Sequence, residues 1–340
     1  MSVSQMTIFP EIAFPWEVDT IQFASTDQSE AYFRIVLNDE VLFEELLYFG
    51  SDGRVELTDI AQIIQDADVE TVSTLSISVS GDGMSWSGGP SVRIIPCTVV
   101  TPSIALDMKD HSFLTLLNGP KQVPEDAVER VSFYSETGDE TLVVTLDYVT
   151  QEGELYRESA TFTKGEAGRV SSFVLPFQSF RSFAHNASDR LLRLLVEAGE
   201  RRQEYLVCPG LKRYLYFLNA FAQQDVLYFS EVSREVKPTR SSGLVGGKHR
   251  TFYIEPQTKL QGFTAPLLDS ELDWAEDAVH SIYFEDERGH TVAVIDNDFK
   301  YTTSPFEMPR LSLTWRPTKP NSNSTRRVRV FDRTFDKTYE

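Results

Sequence analysis

The chain lacks most of the features that reveal chemistry in a sequence. Its 340 residues include only two cysteines, Cys97 and Cys208, too few for a disulfide-stapled scaffold and without the C-x-x-C spacing of metal or redox sites. It has no apolar run of 18 residues, and residues 1–16 lack the basic region and apolar core of a secretion signal. We therefore expect a protein without a signal peptide that is not membrane-embedded and is made in a cytoplasm.

Positive charge is also scarce. The 51 Asp and Glu residues outnumber the 32 Lys and Arg residues and give a net charge of -19. Nucleic acids and anionic membranes are bound through positively charged surfaces, so we expect neither as a partner. The negative charge favours solubility through self-repulsion. An acidic face that meets a basic partner or binds cations is the alternative.

Residues that favour β-strands are abundant. Aromatic residues make up 12% of the chain, with 23 Phe and 13 Tyr, a composition typical of strands. Leu75, Ile77 and Val79 alternate with serines, which predicts a half-buried strand, and Asn38-Asp39 predicts a turn. The sequence predicts a mainly β protein of several small β-sandwich-like modules in series. One or two short helices are expected, one of them capped by Thr58.

A weak threefold recurrence indicates where the modules end. An alternating β-forming stretch closes each unit just before a break, ending at Cys97, Gly210 and Asp332. We predict three divisions: an N-terminal arm with the first β module (1–98), a second β module (99–210), and an aromatic hairpin, long loop and third β module (211–340).

Three segments are harder to assign. Pro10 and Pro15 predict an irregular N-terminal arm, and the glycines of 234–248 predict a long loop. We expect both to become ordered when a neighbouring protein binds. Removal of residues 1–15 should then leave the modules folded and weaken assembly. The leucine-rich stretch 188–196 fits either a short helix or a strand.

Stretches that resemble chemical motifs fail in detail. The Gly-rich stretch 242–249 has Ser242 where a phosphate loop begins with Gly, and His249 where that loop needs a hydroxyl. The acidic stretches 269–277 and 296–298 lack the Gly and Glu spacing of a calcium loop. A surface calcium site is the alternative there.

Histidines give no metal-binding pattern either. The five of them are His111, His185, His249, His280 and His290. None forms an i, i+4 pair, although a hairpin could bring His280 and His290 together. We predict no catalytic, cofactor-binding or metal-binding residues, and a protein that is not an enzyme.

The aromatic stretch of the third division resembles a known family. Residues 211–221, 225–229 and 235–237 form an aromatic strand, an Asn-containing turn, an aromatic return strand and a Glu-Val-Lys run. This order resembles tail-associated structural proteins of phages and prophages from Bacteroides-type bacteria, and residues 49–60 are similar to their first module. The resemblance implies a virion or tail-tip component that packs around a ring or sheath. It implies no active-site residues.

The expected function is therefore structural. We expect a component of a phage or prophage-derived tail, baseplate or tail tip, assembled in the bacterial cytoplasm and located in the virion. It would contact other tail or virion proteins and form a homo-oligomer in a ring or other symmetric assembly. Phe217, Tyr228 and Trp274 are candidate contact anchors, although core packing explains them equally well. A carbohydrate-binding adhesin or receptor-binding protein, using Trp86 and Trp274, is the alternative. An enzyme with a dispersed acidic site is a third hypothesis.

Overall fold

The computed structural model confirms the predicted fold class. It describes residues 3–67, 71–98, 112–138, 140–163, 167–211, 213–245, 248–300 and 308–318. Strands contain 55% of the residues and helices contain 11%, and the structure has several small sheets and a few short helices.

The elements follow one another in this order. The strands of the first hundred residues are β1 (Val3–Gln5), β2 (Ile12–Ala13), β3 (Ile21–Ser25), β4 (Glu30–Leu37), β5 (Glu40–Tyr48), β6 (Arg54–Leu57), β7 (Ser73–Ser80) and β8 (Ser87–Ile94). Next come β9 (Pro120–Val123), β10 (Val128–Ser135), β11 (Thr141–Val149), β12 (Leu155–Thr163), β13 (Arg169–Pro176), β14 (Arg190–Ala198) and β15 (Arg201–Val207). The last are β16 (Arg213–Leu218), β17 (Gln224–Phe229), β18 (Glu231–Val245), β19 (Lys248–Phe263), β20 (Phe284–Asp286), β21 (Thr291–Lys300) and β22 (Arg310–Pro317). The α-helices are α1 (Ile60–Asp66), α2 (Phe177–Phe180) and α3 (Leu272–His280), and 3₁₀ turns span Pro15–Val18, Arg181–Phe183 and Asp269–Glu271.

The chain divides into two compact units. Unit 1 comprises residues 1–120, 125–207 and 218–225, and unit 2 comprises residues 121–124, 208–217 and 226–340. Each sheet draws its strands from only one of the predicted divisions 1–98, 99–210 and 211–340. The division into three domains stays a prediction.

The first sheets of unit 1 form as the alternation predicts. One sheet has the order β2-β8-β7-β4-β5, and a second has the order β1-β3-β6. Leu75 and Ile77 of β7 are fully buried among the core residues of this region. Asn38 and Asp39 join β4 to β5 with φ angles of 48° and 71°. Both angles are left-handed, as a two-residue hairpin turn with the right twist requires.

Helix α1 forms where predicted, but Thr58 is not its cap. The Ile60 N–H donates to the Asp19 carbonyl oxygen at 3.2 Å, and the Ala61 N–H donates to Asp19 Oδ1 at 3.0 Å. Thr58 donates instead to the neighbouring Asp59 carboxylate. The first turn of the helix is therefore satisfied by a residue that is distant in the sequence.

The N-terminal arm is more regular than predicted. β1 pairs antiparallel with β3, and β2 pairs parallel with β8. Ala13 and Phe14 are fully buried, and the Phe14 ring stacks on that of Trp16 with centroids 4.7 Å apart. Pro10 lies between the two strands and Pro15 begins a 3₁₀ turn, so neither proline interrupts a ladder. The arm thus belongs to the folded unit.

The rest of unit 1 is built on antiparallel strands. β10 pairs with β13, while β12, β11, β14 and β15 lie side by side in another sheet. The ambiguous stretch 188–196 is resolved mainly as strand β14, which has partners on both sides. Leu194 and Val196 are fully buried, whereas Leu192 is exposed. Burial at every second residue, together with the two partner strands, distinguishes a strand from a helix.

Unit 2 is organised around a seven-stranded sheet. Its order is β17-β16-β20-β21-β22-β19-β18. The predicted aromatic hairpin is present as β16 and β17. Phe217 lies 5.8 Å from Trp274 of α3, and Phe229 stacks on Trp315 at 5.2 Å, both measured between ring centroids. These buried rings form part of the core beside the sheet.

The predicted long loop is wrong. Most of residues 234–248 lie in β18, which pairs with β19 from Glu231 opposite Phe263 to Val245 opposite Lys248. Gly243, one of the glycines that suggested a loop, lies within β18 and is paired with Arg250. The segment is therefore one arm of a long β-hairpin.

Candidate assembly surface

In the parts that the structure describes, the sequence stretches that resemble chemical motifs do not have the geometry of those motifs. A phosphate loop needs a strand followed by a helix, whereas Ser242 lies in β18 and His249 lies in β19. The acidic stretch 296–298 lies within strand β21, and 269–277 lies in a 3₁₀ turn and α3. Among the residues that the structure describes, no group of three His, Cys, Asp or Glu side chains could hold a metal ion.

The two histidines around the β20–β21 turn have separate local partners. His280 Nδ1 lies 2.9 Å from the Glu276 carbonyl oxygen, and His290 Nδ1 lies 3.5 Å from Asp286 Oδ2. Both contacts span four residues, so each ring is held by its own segment.

The two cysteines are both thiols. Cys97 is buried and Cys208 is half-buried. Burial is the main cause that raises the pKa of the Cys208 thiol, and the nearby charge of Glu271 acts in the same direction. Cys208 is therefore protonated at neutral pH, which disfavours a role as a nucleophile.

The predicted aromatic anchors lie in the core. Phe217, Tyr228 and Trp274 are all buried, and Trp274 is only 2% exposed. Trp274 therefore offers no platform to a sugar ring. Trp86 is half-buried, and the Arg34 guanidinium lies over its ring at 3.8 Å from the centroid. Carbohydrate binding stays a hypothesis, and of the two candidate tryptophans only Trp86 is accessible to a sugar.

The β18–β19 hairpin of unit 2 is paired with the rest of its sheet over only part of its length. β18 has 15 residues, which at ~3.4 Å each spans about 50 Å. Next to the hairpin, β22 pairs with β19 only from Leu260 to Phe263. Farther along, the described strands give β19 no partner except β18. The hairpin thus extends well beyond the sheet that holds its base.

The outer edge of β18 carries unpaired backbone groups. Pro238 and Pro256 lie directly opposite each other, and neither has an N–H, so this pair must occupy a non-hydrogen-bonded position. Because the two kinds of position alternate, Val232, Arg234 and Val236 direct their N–H and C=O groups away from β19. β18 is the last strand of its sheet, and no strand in the described ranges meets these groups.

The base of the hairpin is polar and charged. A shallow groove of about 350 Å³ is lined by Ser233, Arg234, Glu235, Lys259, Gln261 and Thr314. Lys237 Nζ lies 2.6 Å from Glu235 Oε1 on the exposed surface, and Lys259 lies opposite Glu235 in the ladder. The hydrogen bond from Lys237, together with the charges of Lys237 and Lys259, lowers the pKa of Glu235. Glu235 is therefore ionised at neutral pH.

Charge distinguishes the hairpin from the chain as a whole. Residues 231–263 contain six Lys and Arg but only three Asp and Glu, in a chain whose net charge is -19. That this segment meets a neighbour stays a prediction, whereas its predicted loop conformation is wrong. The Gly246-Gly247 pair between Val245 and Lys248 is a sequence pattern typical of hairpins that could have shown it.

Comparison with known proteins does not identify a family. No protein-family model matches the chain, and no curated protein matches it. Within the described part of the chain, no helix is both long and apolar enough to cross a membrane. The resemblance to phage tail proteins stays a prediction.

Proposed function

We propose that the chain is a structural subunit of a phage or prophage-derived tail, baseplate or tail-tip assembly, and that it joins neighbouring subunits by pairing strands. The observation that carries the proposal is the long hairpin of unit 2, with its open β18 edge. The resemblance of residues 211–237 to tail-associated proteins supplies the biological setting.

A long open edge favours a partner strand. Proteins that stay monomeric usually keep edge strands short or interrupt them with bulges, prolines or charged residues. β18 keeps its register from Glu231 to Ser241. The seven residues before Pro238 contain no proline and no bulge; four of them are charged, and Val236 among them is 51% exposed. An added strand gains affinity from main-chain hydrogen bonds and specificity from alternate side chains, and this stretch provides both.

The proposal is tested by asking where the protein is found. Phage-like particles would be induced from the bacterium that encodes the chain, purified by sedimentation and analysed by quantitative mass spectrometry. We expect the protein in a fixed ratio to the other particle proteins. Its absence from particles, with soluble protein recovered elsewhere, would contradict the proposal.

A matched pair of variants tests the role of the edge. Val236→Pro removes an outward N–H without removing a bond to β19, whereas Val236→Ala shortens the side chain and keeps that N–H. We expect Val236→Pro to lower incorporation into particles and Val236→Ala to leave it nearly unchanged. Equal incorporation of the two variants would mean that the edge is not used.

A further inference from the structure

Unit 1 has open edges of its own, β5 and β12 among them, and of these two β5 is the acidic one. β5 is the last strand of its sheet and pairs with β4 alone among the described strands. Val41 is 46% exposed and Tyr48 is 68% exposed on this strand. β5 thus combines an open backbone edge and exposed apolar side chains with a bulge at Leu42, where its register against β4 shifts.

The charge of β5 disfavours pairing with a copy of itself. Glu40, Glu44 and Glu45 are exposed, and the strand contains no Lys or Arg. Arg34 on β4 pairs with Glu44 at 2.7 Å, whereas Glu40 and Glu45 form no ion pair within the described residues. Like charges that face each other across two strands are destabilising, so a basic strand is the better partner.

We propose that β18 of one copy adds to the β5 edge of a second copy. The hairpin has six Lys and Arg against three Asp and Glu by sequence, of which β18 itself carries three against two, and β5 is acidic. Arg234 is exposed on β18 beside the outward backbone groups, and Lys237 is exposed next to it but already contacts Glu235 at 2.6 Å. This inference rests on the proposed structural function and names the partner as a second copy of the chain.

The contact joins two different surfaces and is therefore head-to-tail. Such a contact closes into a ring when its rotation allows and otherwise continues as a filament. Each subunit offers one hairpin and one β5 edge, so an open assembly always ends in one free copy of each. The same contact therefore serves at every step of assembly.

A charge exchange between the two edges tests the inference. One variant carries Glu40→Lys and Glu45→Lys on β5, and the other carries Arg234→Glu and Lys237→Glu on β18. Self-association of the full chain would be measured by sedimentation velocity at low salt, where exposed charges are least screened. We expect each variant alone to associate about tenfold more weakly than the wild type. An equimolar mixture should recover part of the loss, because the reversed edges of the two variants then meet as a complementary pair.

Controls separate this contact from general charge effects. Glu154→Lys changes the charge at an exposed position between β11 and β12 in unit 1, and we expect it to leave association unchanged. Far-UV circular dichroism and thermal unfolding would verify that every variant is folded. A monomeric wild type, a mixture that does not recover association, or an equal loss in Glu154→Lys would overturn the inference. If the wild-type protein is nevertheless present in particles, the proposed function stands and only the identity of the partner is wrong.

Discussion

Gly89 lies at a point in β8 where the backbone of β7 comes very close. Ser76 pairs with Ser91 and Ser78 pairs with Gly88, so two residues of β8 lie opposite Ile77 in a bulge. A Cβ atom added at Gly89 would lie 2.1 Å from the Ile77 carbonyl oxygen. Carbon and oxygen atoms normally approach to roughly 3.3 Å. One of the two strands would therefore have to move by about 1 Å.

We expect Gly89→Ala to destabilise unit 1 by about 3 kcal/mol. Overpacking usually costs ~1–3 kcal/mol, and the upper end applies because the obstacle is backbone in an interior strand. For a domain of this size, ~2–4 °C of melting temperature corresponds to each kcal/mol, so the expected decrease is about 6–12 °C.

Gly88→Ala is the matched control, because an added Cβ there meets no atom within 4 Å. Thermal and urea unfolding of both variants would be followed by circular dichroism. We expect Gly88→Ala to remain within ~0.5 kcal/mol of the wild type. Equal unfolding midpoints of the two variants would contradict a steric clash at Gly89.

Three further predictions concern other parts of the chain. Hydrogen bonds, above all from the Ser85 N–H, lower the pKa of Asp82 from 3.8 to about 2. The ionised Asp82 carboxylate should therefore stabilise the fold fully above pH 4 and lose this effect as the pH falls toward 2. The difference in melting temperature between wild type and Asp82→Asn should shrink over that range. Phe14→Ala should cost about 3–5 kcal/mol in a urea unfolding experiment, because Phe14 is fully buried. An unchanged midpoint would instead support the expectation that the modules fold without residues 1–15. Gly262→Ala should destabilise unit 2 by about 1–3 kcal/mol, since its Cβ would lie 2.6 Å from Phe229 Cδ1; no coupling in a double-mutant cycle with Phe229→Leu would contradict this cause.

Local sequence patterns predicted what depends on neighbours along the chain. Alternation located β7, and the aromatic stretches located β16 and β17. The cap of α1 could not be found in this way, because Asp19 approaches the helix only after the chain has folded. The prediction of an irregular N-terminal arm was wrong for the same reason. Its two short strands owe their regularity to β3 and β8 rather than to their own composition.

The hairpin shows how a segment considered alone can suggest the wrong conformation. Glycine and proline in 234–248 predict a loop when the segment is considered alone, because both residues weaken an isolated strand. Opposite β19, however, Pro238 faces Pro256 at a position where neither needs an N–H for the ladder. The same arrangement leaves the outward groups of Val232, Arg234 and Val236 without a partner strand in the described structure. A segment whose own ladder tolerates proline and whose other edge stays open is suited to a partner that adds a strand. The comparison of Val236→Pro with Val236→Ala therefore tests whether the edge is used, and the charge exchange between β18 and β5 tests which partner uses it.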